Sequence, residues 1–76
     1  MISLEGLLAE VLDLPEDDIE DGTGRDTAAE WTSLAHIQVV TAVEGAFGIA
    51  LTTREISEVT TVGRLREVLR EKGVSV

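Results

Sequence analysis

The stretch from about Pro15 to Thr32 carries little that a core could use, and it separates two segments of helical periodicity. It joins an acidic run to Gly22, Gly24 and several threonines, a loop composition, and its large apolar residues are Ile19 and Trp31. Upstream, Leu4, Leu7, Leu8, Val11 and Leu12 follow the spacing of one helical face, with Glu5, Glu10 and Asp13 falling elsewhere. Pro15 stops that helix near Asp13 or Leu14, because the residue before a proline is pushed out of the α region. Loops of this length tend to be functional or disordered. The expectation is an ordered loop with a turn of helix inside, pinned by Ile19 and Trp31.

Downstream, Leu34, Ile37, Val40, Val43 and Phe47, with Val39 beside them, repeat at helical spacing from Ser33, and Gly48 supplies a stop. Arg54 to Val59 reads as one or two helical turns. Thr60 or Thr61 then caps a last helix with Val62, Leu65 and Leu69 on its inner side, ending at Gly73. Sustained period-two alternation is missing, so the expected fold is all-α, with four helices, one long crossover connection and a short third helix. At 76 residues the chain allows one domain, 1–76, with a thin core, since a domain so small buries only about 60% of its unfolded surface. Cysteine is absent, so helix packing alone must hold the fold.

Charge narrows the function. Residues 1–30 hold ten acids against one base, Arg25, so the whole net charge of −9 falls there, while five acids balance five bases from Trp31 onward. A negative field excludes nucleic acid, whose phosphates need clustered Lys and Arg. No apolar run approaches the roughly 20 residues that span a bilayer, and the start Met1-Ile2-Ser3-Leu4-Glu5 lacks a basic leader region. These observations read as a soluble, cytoplasmic protein with no membrane partner.

The residue of greatest chemical interest is Ser33, a hydroxyl at the threshold of the second helix. A helix N-terminus offers unpaired backbone N–H groups and a positive dipole end, which suit an anion carried on that oxygen. On local sequence alone, capping of the helix by Ser33 or equally by Thr32 explains the same residues. His36 lies three residues on, on the same helical face, yet no carboxylate is placed to orient it as a base; it reads as a surface histidine for partner recognition. Asp17, Asp18, Glu20, Asp21 and Gly22 suggest a calcium loop, but Ile19 and Ala28 stand where ligands belong, so no metal site is assigned. Neither a base nor a metal site supports catalysis, and the chain reads as a non-enzyme.

The string Trp31-Thr32-Ser33-Leu34-Ala35-His36-Ile37, followed by Val43-Glu44, Phe47-Gly48-Ile49 and Val59-Thr60-Thr61-Val62, resembles the acyl carrier proteins over nearly the whole chain. The resemblance implies a four-helix bundle of that type with a long first loop. It implies 4′-phosphopantetheine from coenzyme A attached to Ser33, with Thr32, Leu34 and Leu51 flanking the base of the arm; core packing is the alternative for Leu34 and Leu51. It also implies a docking surface on the second and third helices, here His36, Ile37, Val40, Glu44 and Ile56. The partners are a phosphopantetheinyl transferase, an acyl-loading enzyme and an acceptor synthase or transferase, and the carrier itself is a monomer. Thr32 departs from the family, which usually has Asp before the serine, and this bears on which transferase acts.

Carriers of fatty-acid synthesis have an acidic second helix, whereas this one holds a single acid, Glu44. Peptidyl carriers often place glycines before the serine, whereas this chain has Ala28-Ala29-Glu30. The reading is a discrete carrier of a specialised, polyketide-like pathway. Its alternatives are a peptidyl or fatty-acid carrier and, in another class, an unmodified interaction module.

Overall fold

The structure, a computed structural model, describes residues 3–76. Helix α1 spans Leu4–Leu12 and begins under a cap from Ser3, whose Oγ accepts from the Gly6 N–H at 2.9 Å. It ends on Asp13 in the left-handed conformation, φ 56°, two residues before Pro15. The stop therefore falls where the proline requires it. Leu4, Leu7, Leu8 and Leu12 face inward and meet α2, Ser33–Phe47.

The long loop is ordered by three devices. A 3₁₀ turn at Glu16–Asp18 opens it. Threonine hydroxyls then close its bends, Thr23 Oγ1 accepting from the Glu20 N–H at 3.0 Å and Thr27 Oγ1 from the Gly24 N–H at 2.9 Å. Finally, backbone bonds join it to the start of α4, Val62–Glu71: Arg25 N–H to Thr60 O at 2.9 Å, Val62 N–H to Thr23 O at 2.8 Å, and Gly63 N–H to Asp21 O at 2.9 Å. Ile19 and Trp31 are both buried, as the loop's apolar anchors should be.

The remaining boundaries follow their caps. Gly48, φ 66°, ends α2. Helix α3, Thr53–Glu58, starts with a capping box in which Thr52 and Glu55 satisfy each other's backbone N–H groups. Thr61 caps α4 by accepting from the Arg64 N–H at 3.1 Å. The inner residues of all these segments, among them Leu8, Val39, Val43, Val59, Leu65 and Leu69, belong to one buried cluster. Among the described residues no strand forms beyond the single Gly24–Thr61 bridge, and no helix is long and apolar enough to cross a membrane. The architecture is the all-α, four-helix bundle expected, with its crossover loop and short third helix.

The residues that share a helical spacing in α2 do not share one face: Leu34 and Ile37 are 69% and 58% exposed, as a place beside the arm and on a docking surface requires, while Ala35, His36, Val39, Val40 and Val43 are buried. Apolar residues occur on most sides of this helix, so periodicity alone selects no face. Packing against α1 and the buried Trp31 sets its rotation.

Ion pairs link the helices at the surface. Arg66 reaches Glu5 and Asp21, each at 3.2 Å, and Lys72 Nζ meets Glu55 Oε1 at 2.9 Å. The Thr52 backbone N–H bond, then Lys72, hold the Glu55 carboxyl below the ordinary glutamate value of 4.5. A lowered folded value means this group's contribution to stability is whole above pH 4.5 and is lost as pH falls through the folded value.

Two outcomes are expected. Acid unfolding below about pH 4.5 should be shallower in Glu55→Gln than in the native chain, as followed by circular dichroism. A Cβ at Gly24 would overlap the Thr60 carbonyl oxygen and the Thr61 side chain, whereas one at Gly22 meets nothing within 4 Å. Gly24→Ala should thus cost about 1–3 kcal/mol in urea unfolding, with Gly22→Ala within about 0.5 kcal/mol of the native chain.

Candidate functional site

Ser33 is the first residue of α2, and Thr32, not Ser33, is its cap: Thr32 Oγ1 accepts from the Ala35 N–H at 3.1 Å. The capping duty is therefore filled by the neighbour, and the Ser33 hydroxyl stands exposed. Its oxygen accepts one hydrogen bond, from Nη2 of Arg25 at 2.9 Å. The N–H groups of the first turn of a helix have no intrahelical partner, so Ser33 sits where backbone donors and a guanidinium converge. An open cavity of about 260 Å³ lined by Arg25, Asp26, Trp31 and Thr60 shares Arg25 with this site. A larger one, about 430 Å³, is bordered by Leu14, Asp18, Glu20 and Glu30 and includes neither Ser33 nor Arg25.

Beneath the hydroxyl lies a buried polar relay. Trp31 is 2% exposed and donates its indole N–H to His36 Nδ1 at 3.1 Å, while His36 Nε2 lies 2.7 Å from the carbonyl oxygen of Ile56. Indole nitrogen can only donate, so Nδ1 is the acceptor and the ring proton resides on Nε2, donating to Ile56. The two rings stack with centroids 6.1 Å apart. This corrects the reading of His36 as a surface recognition residue: it is 6% exposed and both nitrogens are engaged. The same engagement removes it as a base for Ser33.

The other expected site residues divide between surface and core. Leu34 and Ile37 project outward from α2 with Gln38 and Thr41, forming an uncharged face. Val40, expected on the docking surface, is buried because it falls on the side of α2 that packs inward. Glu44 is half-buried, and its Oε2 accepts the Leu51 N–H at 2.8 Å, so its charge serves the α2–α3 loop and not the outer face. Leu51 is buried in the core, the alternative already open for it, and Ile56 is half-buried. Arg25 is the site residue that sequence reasoning counted but did not use. Its signal was its isolation, one base among the acids of residues 1–30.

The phosphopantetheine attachment site family matches residues 3–69 of the chain. No curated protein matches it.

If His36 bridges Trp31 and Ile56, His36→Phe must strand a buried donor and a buried acceptor. The expected loss is about 1–3 kcal/mol in urea unfolding followed by Trp31 fluorescence, against the ±0.5 kcal/mol or so typical of a surface histidine.

Proposed function

Because the chain belongs to the phosphopantetheine attachment site family, we propose that Ser33 is the residue that takes the 4′-phosphopantetheine and that the protein serves a specialised, polyketide-like pathway. A family match over residues 3–69 makes the chain a carrier of the covalent group. The observation that carries the assignment to Ser33 is the division of labour at the start of α2. Thr32 caps the helix, which leaves the Ser33 hydroxyl exposed and free to react.

In this reading, a separate transferase directs the Ser33 oxygen to the pantetheine-bearing phosphorus of coenzyme A. The serine O–H proton passes to a base of the transferase, a P–O bond forms to Ser33, and the pyrophosphate P–O bond breaks to release adenosine 3′,5′-bisphosphate. No base within the carrier is needed, which accords with a buried, fully bonded His36. The residues at hand suit the product, since a phosphodiester anion at Ser33 meets helix N-terminal donors and the Arg25 guanidinium. When bound, the group supplies a thiol that carries acyl cargo as a thioester.

The specialised pathway is argued from the docking face. Leu34, Ile37, Gln38 and Thr41 present no charge, and the single acid of the helix is turned to the Leu51 N–H. A loading enzyme and an acceptor synthase or transferase would therefore meet α2 through apolar and hydrogen-bonding contacts. Long-range steering would come from the acidic loop.

Incubation with coenzyme A and a broad-specificity phosphopantetheinyl transferase should add the mass of one phosphopantetheine, read by intact-protein mass spectrometry, and Ser33→Ala should abolish the gain. Undiminished labelling of Ser33→Ala would refute the assignment. A native chain that stays unmodified with a competent transferase would favour an interaction module.

A further inference from the structure

Most cations of this protein have an anion to face. Arg54, Arg64, Arg66 and Lys72 each hold a carboxylate at 2.9–3.3 Å, and Arg70 donates to the Val76 carbonyl oxygen at 2.9 Å. Arg25 differs. Among the described residues its guanidinium lies within 4.0 Å of no carboxylate, although ten acids share residues 1–30 with it. It donates instead to the neutral hydroxyl of Ser33, at 2.9 Å.

The placement is built into the loop. The Arg25 N–H bonds to Thr60 O at 2.9 Å, and Gly24 beside it forms the bridge to Thr61 that a Cβ would block. The backbone from which the side chain reaches Ser33 is thereby anchored to the start of α4. A guanidinium is a forked donor suited to phosphate and carboxylate, and its bonds to anions are about twice as strong as those to neutral acceptors.

We propose that Arg25 is the counter-ion of the phosphodiester formed on Ser33 and positions the base of the attached arm. The inference rests on Ser33 being the attachment residue. Modification creates an anion at the oxygen Arg25 already touches, just after a stretch whose acids would otherwise repel it. Arg25 exchanges a neutral acceptor for a charged one without leaving its place.

The test compares apo and modified forms within each variant, so that any folding defect of the variant cancels. Urea unfolding at low salt is measured for the native chain, Arg25→Gln and Arg25→Lys. The effect of modification on the folding equilibrium constant should be about two- to fivefold more favourable in the native chain than in Arg25→Gln, with Arg25→Lys between them. In about 1 M salt the difference should shrink towards none. The phosphorus resonance of the modified protein should also move on Arg25→Gln. Equal responses to modification with an unmoved phosphorus resonance overturn the role of Arg25 while leaving Ser33 standing. A native chain that gains no phosphopantetheine, or Ser33→Ala that still gains it, overturns both.

Discussion

Trp31 occupies the last position of the loop but one, and its indole is buried with its N–H donated to His36, which passes a bond on to the Ile56 carbonyl. Three segments, the loop's end, α2 and α3, are tied through these two hydrogen bonds. A buried donor or acceptor without its partner costs free energy, so the relay admits few alternative rotations of α2. With Trp31 seated, the next residue is held at the mouth of the helix as its cap, and the one after it begins the helix. The exposure of Ser33 thus depends on a bond made two residues earlier and below the surface.

The loop is a second constraint of the same kind. Its many acids oppose compaction, yet backbone bonds to α4 and the Arg66 bridge to Glu5 and Asp21 hold it against the bundle. Surface ion pairs contribute modestly, so the backbone bonds and the burial of Ile19 and Trp31 carry more of the ordering. This order has a functional consequence. A loose loop could not deliver Arg25 to Ser33, since a long cationic side chain loses rotamer freedom for every contact it holds.

Charge and apolar surface are separated across the protein. The acids cluster before Trp31, while the outward face of α2 beside Ser33 is Leu34, Ile37, Gln38 and Thr41. Electrostatic attraction acts over distance and apolar contact acts only on touching. Under the proposed function, a partner guided by the loop would complete its docking on the uncharged outer face of α2, a division unlike one in which a single acidic face does both.

The helices, the ordered loop, the stops at Pro15 and Gly48 and the Thr61 cap were legible in the chain, because a proline, glycines, a threonine cap and leucine spacing act over a few residues. Ser33 stood out for the same reason, as a hydroxyl followed by an apolar run. Its role beside Thr32 was not decided locally, since either residue can cap, and neither was the inward face of α2, where Leu34 and Ile37 compete with Ala35 and Val39 for burial. His36 was misplaced because a lone histidine carries no mark of the indole and carbonyl that will satisfy it. Arg25, eight residues from Ser33 in sequence, was visible only as an isolated charge. What the amino-acid order determines here is local conformation and the side chains on offer; which of them face inward, and which meet across the loop, is decided by tertiary packing, because burial and hydrogen-bond satisfaction are settled between segments and not within them.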